Sequence, residues 1–329
     1  MKAMIAAFVV SLACTWLVTP LVERLARRQG ALAVPRERDV HTHPTPRWGG
    51  LAIIIGVLAA ITLTVSYRHL NGDAGWNREV VGILLAGAFI AVVGLVDDVR
   101  DLRALHQALA IMASGLILVA FGVRIQGLTN PFVESGPGSY NPASWIALPY
   151  WASVLLTLFW VFVVTKTIDA IDGLDGLAAG VCAISGSTLA LMAAAAGQPT
   201  IALLAAAVVG ACIGFLRHNY APARIFMGTV GAQFLGLMLA AVSMMGTVKV
   251  AAAISVFVPV LVLGVPIFDY MVVLARRVLQ RAPLTAADRR HFHHRLLDRG
   301  LTDRQAVWVI YGCTAVLCSA ALLLFGASR

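Results

Sequence analysis

Ten apolar stretches, each close to the thickness of a bilayer core, alternate along the chain with short polar segments that hold most of its charge. They occupy residues 4–20, 48–65, 80–96, 105–123, 145–164, 177–196, 200–216, 231–247, 250–274 and 306–325. A helix of about 20 apolar residues crosses the hydrocarbon and satisfies its own backbone, which water cannot do there. Soluble helices show narrow apolar stripes, whereas these runs are apolar all round. The pattern predicts an all-α, polytopic membrane protein with about ten transmembrane helices, forming a single domain over residues 1–329. Pro149 falls in the fifth stretch, near its outer end, where a lost backbone bond costs least. A basic segment rather than a secreted domain follows the first stretch, which therefore reads as an anchor and not a signal peptide.

Composition agrees: 60% of residues are hydrophobic, 12% are charged, and the mean hydropathy is +0.85. Soluble domains carry about 25% charged residues. Ten spans place both termini on one side and five loops on the other. All but six of the 25 basic residues lie in those five loops, the exceptions being Lys2, Arg68, Arg78, Arg124, Lys249 and Arg329. The positive-inside rule makes that five-loop face cytoplasmic and both termini external. The net charge of +9 thus follows from membrane orientation and attraction to anionic lipid. Nucleic-acid binding is excluded, because the basic residues interleave with spans and build no separate basic domain. All five cysteines fall inside the stretches without metal spacing and read as small apolar packers.

Carboxylates contribute little to orientation, yet they follow the same partition. Only Asp73, Glu79 and Glu134 lie towards the opposite loops, Asp269 sits inside the ninth stretch, and every other acid is on the cytoplasmic face. So is every histidine but His69. Four segments there carry candidate chemistry. Arg38-Asp39-Val40-His41 followed by Pro46-Arg47-Trp48-Gly49-Gly50 combines cations that suit phosphate with glycines that admit close backbone approach, or else is a basic linker. Asp97-Asp98 ends the third stretch, where adjacent carboxylates need solvent, an ion pair or a hard divalent cation such as Mg²⁺. Asp169, Asp172 and Asp175 recur every third residue, so on a helical turn they share one face, and their repulsion calls for a cation that Lys166 or a metal could supply. His291, His293 and His294, beside Arg295, suit zinc or a phosphate, or are solvated loop residues.

Together, and in this order, the segments resemble the polyprenyl-phosphate N-acetylhexosamine-1-phosphate transferases, a superfamily that includes phospho-N-acetylmuramoyl-pentapeptide transferase. The first segment and the His291–Leu296 run are similar to its N-acetylglucosamine-1-phosphate branch. The resemblance implies transfer of a sugar 1-phosphate from a UDP-sugar to a polyprenyl phosphate, with release of UMP. It implies Mg²⁺ (Mn²⁺ as the alternative), an active site on the cytoplasmic face of the bacterial inner membrane, and a homodimer. By position it makes Asp97, Asp98 and Asp172 catalytic, and Asp175, Asn219 and Phe226 nucleotide-binding. Arg38, His41, Arg47, Lys166, His291, His293 and His294 become phosphate-binding, and Asp98 and Asp169 metal ligands.

The chain departs from the family pattern in two places. Thr229, in Met227-Gly228-Thr229-Val230-Gly231-Ala232, stands where relatives have a metal-binding aspartate. Lys166 and Asp169 replace two asparagines. One expectation is that Asp169 substitutes for the missing acid while Lys166 adds a fixed cation near the pyrophosphate. The alternatives are an inactive homologue or scaffold, and an ion-coupled transporter. The position of the acids at span ends and the lack of an internal repeat speak against transport.

Overall fold

The structure, a computed structural model, describes residues 1–33, 44–72, 76–129, 145–246, 254–280 and 291–327. Among these residues the chain forms twelve helices and two short antiparallel ribbons. The first half runs α1 (Lys2–Arg28), β1 (Leu32–Ala33), β2 (Thr45–Pro46), α2 (Gly49–Leu70), α3 (Arg78–Arg100), α4 (Ala104–Ala120), β3 (Gly127–Thr129) and β4 (Trp145–Ala147). Next come α5 (Tyr150–Ile171), α6 (Leu177–Ala195), α7 (Pro199–Asn219) and α8 (Gly228–Gly246). The chain closes with α9 (Ile254–Val262), α10 (Gly264–Leu279), α11 (Phe292–Leu297) and α12 (Asp303–Ala327).

Eight of these helices, α1, α2, α3, α5, α6, α7, α8 and α12, are long and apolar enough to cross a membrane, and α4 is a shorter apolar helix. With the α9–α10 pair they account for the ten stretches read from the sequence, and the all-α reading stands. Local chemistry sets the helix ends. Asn77 accepts a hydrogen bond from the Val80 N–H at the start of α3 (2.8 Å), and Pro199 opens α7, where its missing N–H has no intrahelical partner to lose.

Two expectations change. The fifth helix does not begin at Trp145. Residues 145–147 pair with β3, and α5 starts at Tyr150, one residue past Pro149. Proline disfavours helical backbone in the residue before it, so the helix cannot extend upstream. The ninth stretch, expected as one helix over residues 250–274, breaks at Leu263. Pro266 has no N–H to donate to the Val262 carbonyl four residues earlier. That carbonyl instead accepts from the Ser185 hydroxyl at 2.7 Å and meets the Cys318 thiol at 3.7 Å. The broken span is thereby pinned to α6 and α12.

Helix α8 is the axis of the bundle, with α2, α3, α5, α6 and α7 packed around it. Its crossing with α2 brings two backbones together. A Cβ on Gly50 would run into the backbone of Gly231, and one on Gly231 would lie 2.6 Å from the Gly50 Cα. No side chain fits between them. Beside this crossing the Gly49 N–H donates to Phe226 O (2.9 Å), the Gly50 N–H to Met227 O (2.8 Å), and the Phe226 N–H to Pro46 O (2.8 Å). The segment before α2 is thus stitched to the one before α8.

Overpacking ordinarily costs about 1–3 kcal/mol, and here the obstacle is backbone that cannot rotate away. Gly231→Val should therefore lower the melting temperature of the detergent-solubilised protein markedly. Gly312→Ala, where a Cβ meets nothing within 4 Å, should leave it within about a degree, as exposed helical Gly→Ala changes amount to less than about 1 kcal/mol. Thermal denaturation of the two purified variants checks both.

Candidate active site

The described parts of five connections come together at one end of the bundle: those joining α1 to α2, α3 to α4, α5 to α6, α7 to α8, and α11 to α12. Bonds between distant residues tie them together. The Phe226 N–H bonds the Pro46 carbonyl, Thr229 bonds Asp98, Lys166 bonds Gln107, Asn219 bonds Gly176, and Arg304 bonds the Ala221 carbonyl. These are the five loops that the charge pattern had grouped on one face.

The first anchor is Asp98, near the last residue of α3. Its Oδ1 accepts from the Thr229 N–H at 2.8 Å and its Oδ2 from the Val230 N–H at 3.4 Å. Helix α8 therefore begins against a carboxylate from another helix, which meets two of the N–H groups that every helix start leaves without partners. Gly228, at φ +73°, permits the approach, since a Cβ there would lie 2.5 Å from Asp98 Oδ2. Arg47 is near enough for its charge to act on Asp98. Asp97 faces inward and is 5% exposed. Its Oδ1 takes the Leu102 N–H (2.9 Å) and the Gln107 amide (2.8 Å). These two bonds shape the turn between α3 and α4.

Gln107 continues the chain of contacts. Its carbonyl accepts from Lys166 Nζ at 2.8 Å, and the same ammonium lies 2.8 Å from Asp169 Oδ2. Asp97, Gln107, Lys166 and Asp169 thus form one line of hydrogen bonds from α3 across α4 to α5. Lys166, expected to face a phosphate, has two of its three N–H donors engaged within the protein. Asp172 follows at the end of α5. Burial first, and then the charges of Asp169, Asp98 and Asp175, push its carboxyl up to about 8. No hydrogen bond or ion pair meets it among the described residues.

Asp175 and Asn219 hold the neighbouring loop. Asp175 Oδ2 accepts from the Ala223 N–H at 2.8 Å. Asn219, 4% exposed, accepts from the Gly176 N–H at 3.0 Å and donates to the Ile225 carbonyl at 2.9 Å. Both ends of its amide are used inside the protein, where they brace the 220–226 loop. Phe226 sits on that loop, half-buried, directly ahead of α8.

The histidine motif closes the opposite side. His293 lies against the turn between α5 and α6, where a Cβ on Gly173 would be 2.7 Å from its Nε2. His291 stacks parallel to it at 5.8 Å, and His294 is tilted at 4.3 Å. Asp269 of α10 positions the motif, with Oδ2 2.9 Å from His291 Nδ1 and Oδ1 accepting the Phe292 N–H at 2.6 Å. Burial, aided by the neighbouring His294 and His291 against an opposing pull from Asp269, pushes His293 down to about 3. His293 is therefore neutral at physiological pH and offers a hydrogen bond, not a positive charge.

Of the residues read from the sequence, the structure brings Asp97, Asp98, Lys166, Asp169, Asp172, Asp175, Asn219, Phe226, Arg47 and the three histidines to one end. Arg38 and His41 lie outside the described residues. Gln107 and Asp269 were not foreseen. Asp269 had a signal, since an acid inside an apolar stretch is costly without a partner. Gln107 had none.

The arrangement suits a divalent cation, although among the described residues no three His, Cys, Asp or Glu side chains are grouped to cage one. Mg²⁺ keeps several waters and leans on substrate phosphates, so one or two protein carboxylates suffice. Asp172, which feels the charges of Asp169, Asp98 and Asp175, is the residue that could hold one.

Residues 80–247 match the family described as glycosyl transferase family 4. The chain is 36% identical, over its whole length and 87% of the relative, to a probable undecaprenyl-phosphate N-acetylglucosaminyl 1-phosphate transferase of Bacillus subtilis (strain 168). It is 37% identical to a decaprenyl-phosphate N-acetylglucosaminephosphotransferase of Mycobacterium leprae, over 90% of this chain and 77% of that one. Against a phospho-N-acetylmuramoyl-pentapeptide-transferase of Synechococcus sp. identity is 32%, over 92% of this chain and 86% of the relative.

The depressed value of His293 has a measurable consequence. An unfolded histidine titrates near 6.5, so between about 6.5 and 3 the unfolded chain binds the extra proton. Stability is then fully present above pH 6.5 and falls on acidification, by about 2 kcal/mol from pH 7 to 5 for this one group. His293→Gln, which cannot charge, should show a smaller drop in melting temperature over that interval than the unaltered protein. Parallel melts at the two pH values provide the comparison.

Proposed function

The chain belongs to glycosyl transferase family 4, and from that premise we propose that it transfers N-acetylglucosamine 1-phosphate from a UDP-sugar to a polyprenyl phosphate. UMP is the second product, and the lipid-linked sugar begins a cell-envelope polysaccharide. Identity to the two N-acetylglucosamine relatives, at 36% and 37%, exceeds the 32% to the muramoyl-pentapeptide relative, which favours N-acetylglucosamine as the sugar. The observation that carries the reading is that Asp98, Asp169 and Asp172, at the ends of apolar helices, lie within electrostatic range of one site. A membrane-bound phosphate and a soluble sugar nucleotide can both reach such a place. The basic bias of the same loops supports a site facing the cytoplasm from the bacterial inner membrane.

In the reaction, an oxygen of the lipid phosphate attacks the phosphorus that bears the sugar. The bond from that phosphorus to the bridging oxygen breaks, and UMP leaves with that oxygen. The lipid phosphate is largely ionised at neutral pH, with a second pKa near 6 by analogy with phosphoserine. Alignment and charge neutralisation therefore matter more than a strong base. A bound Mg²⁺ would offset charge on the pyrophosphate and on the departing UMP. Asp172 would hold it, with Asp98 and Asp169 lending negative charge from nearby. The start of α8, fixed by Asp98, aligns the site floor, and Phe226 on its braced loop offers a flat face for the uracil. Arg47 and the third Lys166 donor supply positive charge to phosphate oxygens, and His293 adds a neutral hydrogen bond.

Purified protein supplied with UDP-N-acetylglucosamine, undecaprenyl phosphate and Mg²⁺ should release UMP. Asp172→Asn, nearly isosteric but unable to hold the cation, should lower that release by roughly 10²-fold or more, as loss of a key electrostatic group does, while eluting as a folded protein. Coupled detection of UMP measures both. Absence of UMP from the unaltered protein with every UDP-sugar tried would leave the inactive-homologue reading.

A further inference from the structure

We propose that Lys166 is a built-in counter-ion of the acidic site, sharing Asp169 with the divalent cation and so setting how weakly that cation is held and how well an anionic donor is received. The inference rests on the transferase reading above for its ligands, and on the geometry around Lys166 for its content.

Lys166 and Asp169 stand one turn apart on α5, on the same face of the helix. Ammonium and carboxylate are 2.8 Å apart, and their side chains are 17% and 18% exposed. This is not a solvated surface pair, whose effect would be small. The second contact fixes the ammonium further. Gln107 turns its carbonyl to Lys166 and its NH₂ to Asp97 Oδ1, both at 2.8 Å. Chemistry allows no other setting, because a flipped amide would face NH₂ to ammonium and carbonyl to carboxylate. The lysine is thereby fixed at both ends of a line running from Asp97 to Asp169.

Its surroundings are otherwise acidic. Asp169 is also the charge that acts most strongly on Asp172, ahead of Asp98 and Asp175. A cation entering beside Asp172 therefore comes within range of Asp169, where the ammonium is already seated. Position 229, at the other edge of the site, brings no charge and uses its N–H on Asp98. The ammonium repels a divalent cation and attracts a diphosphate, so it acts on the two ligands with opposite signs.

That opposition separates the proposal from a merely structural ion pair, whose loss would loosen the site and weaken both ligands together. The experiment titrates the full-length, detergent-solubilised protein with Mn²⁺, reading free Mn²⁺ by electron paramagnetic resonance, and separately with UDP by calorimetry. Lys166→Met should bind Mn²⁺ about tenfold more tightly, as removal of one nearby charge allows, and UDP more weakly than the unaltered protein. Lys166→Gln, which can still hydrogen-bond Asp169, should show the same pair of shifts if the methionine variant fails to fold, and Lys166→Arg should show neither. Unchanged or weaker Mn²⁺ binding in the neutral variants, or no binding by any form, overturns the assignment. UMP release by the unaltered protein is measured alongside. Its absence together with the two opposite shifts would sink the transferase reading and leave the counter-ion standing, whereas turnover without the shifts does the reverse.

Discussion

The start of α8 is the point on which the rest of the structure depends. A helix leaves its first N–H groups without intrahelical partners, and here those groups lie partly buried at one end of the bundle. Asp98 meets two of them from the end of α3. An acceptor with full charge complements the helix dipole and contributes about 0.5–2 kcal/mol by the measure of ordinary caps. Its geometric effect is larger than that figure suggests. One carboxylate sets the depth of α8 against α3, and through the Gly50–Gly231 contact it also sets the position of α2. The hydrogen bonds between residues 46–50 and 226–227 follow from that placement. Asp98 therefore both builds the site floor and belongs to the site, so a substitution there cannot be read as a loss of chemistry alone.

Around this floor the charges are arranged in two classes. Asp97, Asp175 and Asn219 each hydrogen-bond to neighbouring backbone or side chains, and through those bonds they hold turns. Asp172 is left with burial and like charge as its only strong influences. A protein that had to fold with four ionised carboxylates and no counter-charge would face repulsion that hydrophobic packing nearby must offset. Lys166 supplies one positive charge from within, and proton uptake by Asp172 removes one negative charge while no cation is bound.

Much of this was legible in the sequence, for definite reasons. Span lengths follow from bilayer thickness, so the stretches that became α1, α2, α3 and α5–α8 were readable from apolar runs alone. The clustering of the acids was readable because a carboxylate gains nothing from membrane orientation. What stayed hidden depends on contacts between distant segments. Pro266 was visible, but that it would break a span at Leu263 depended on Ser185 being present to take the Val262 carbonyl. Trp145–Ala147 read as membrane because its residues are apolar, while β3 was available to pair it as a strand. Gln107 carried no pattern at all; its role exists only because Asp97 and Lys166 lie on either side of it. His293 looked like a cation until burial against Gly173 showed that it stays neutral.

The two departures from the family pattern can now be weighed together. An acid gained at Asp169 would replace the one missing at Thr229 only if its charge were available to a metal. The ammonium of Lys166 at 2.8 Å takes up that charge, so the exchange of two neutral amides for this ion pair leaves the net charge of α5 as it was. The site is then one negative charge poorer than the pattern it resembles, and Asp169 is no simple replacement. Decay of an unused site would be expected to strand one of these residues, because a half-buried lysine or aspartate without its partner is costly. Instead both are present, one turn apart, with Gln107 oriented to serve the lysine. Such mutual satisfaction is the mark of a site held in working order with its charges redistributed, and it favours a transferase with weakened cation affinity over an inactive relative.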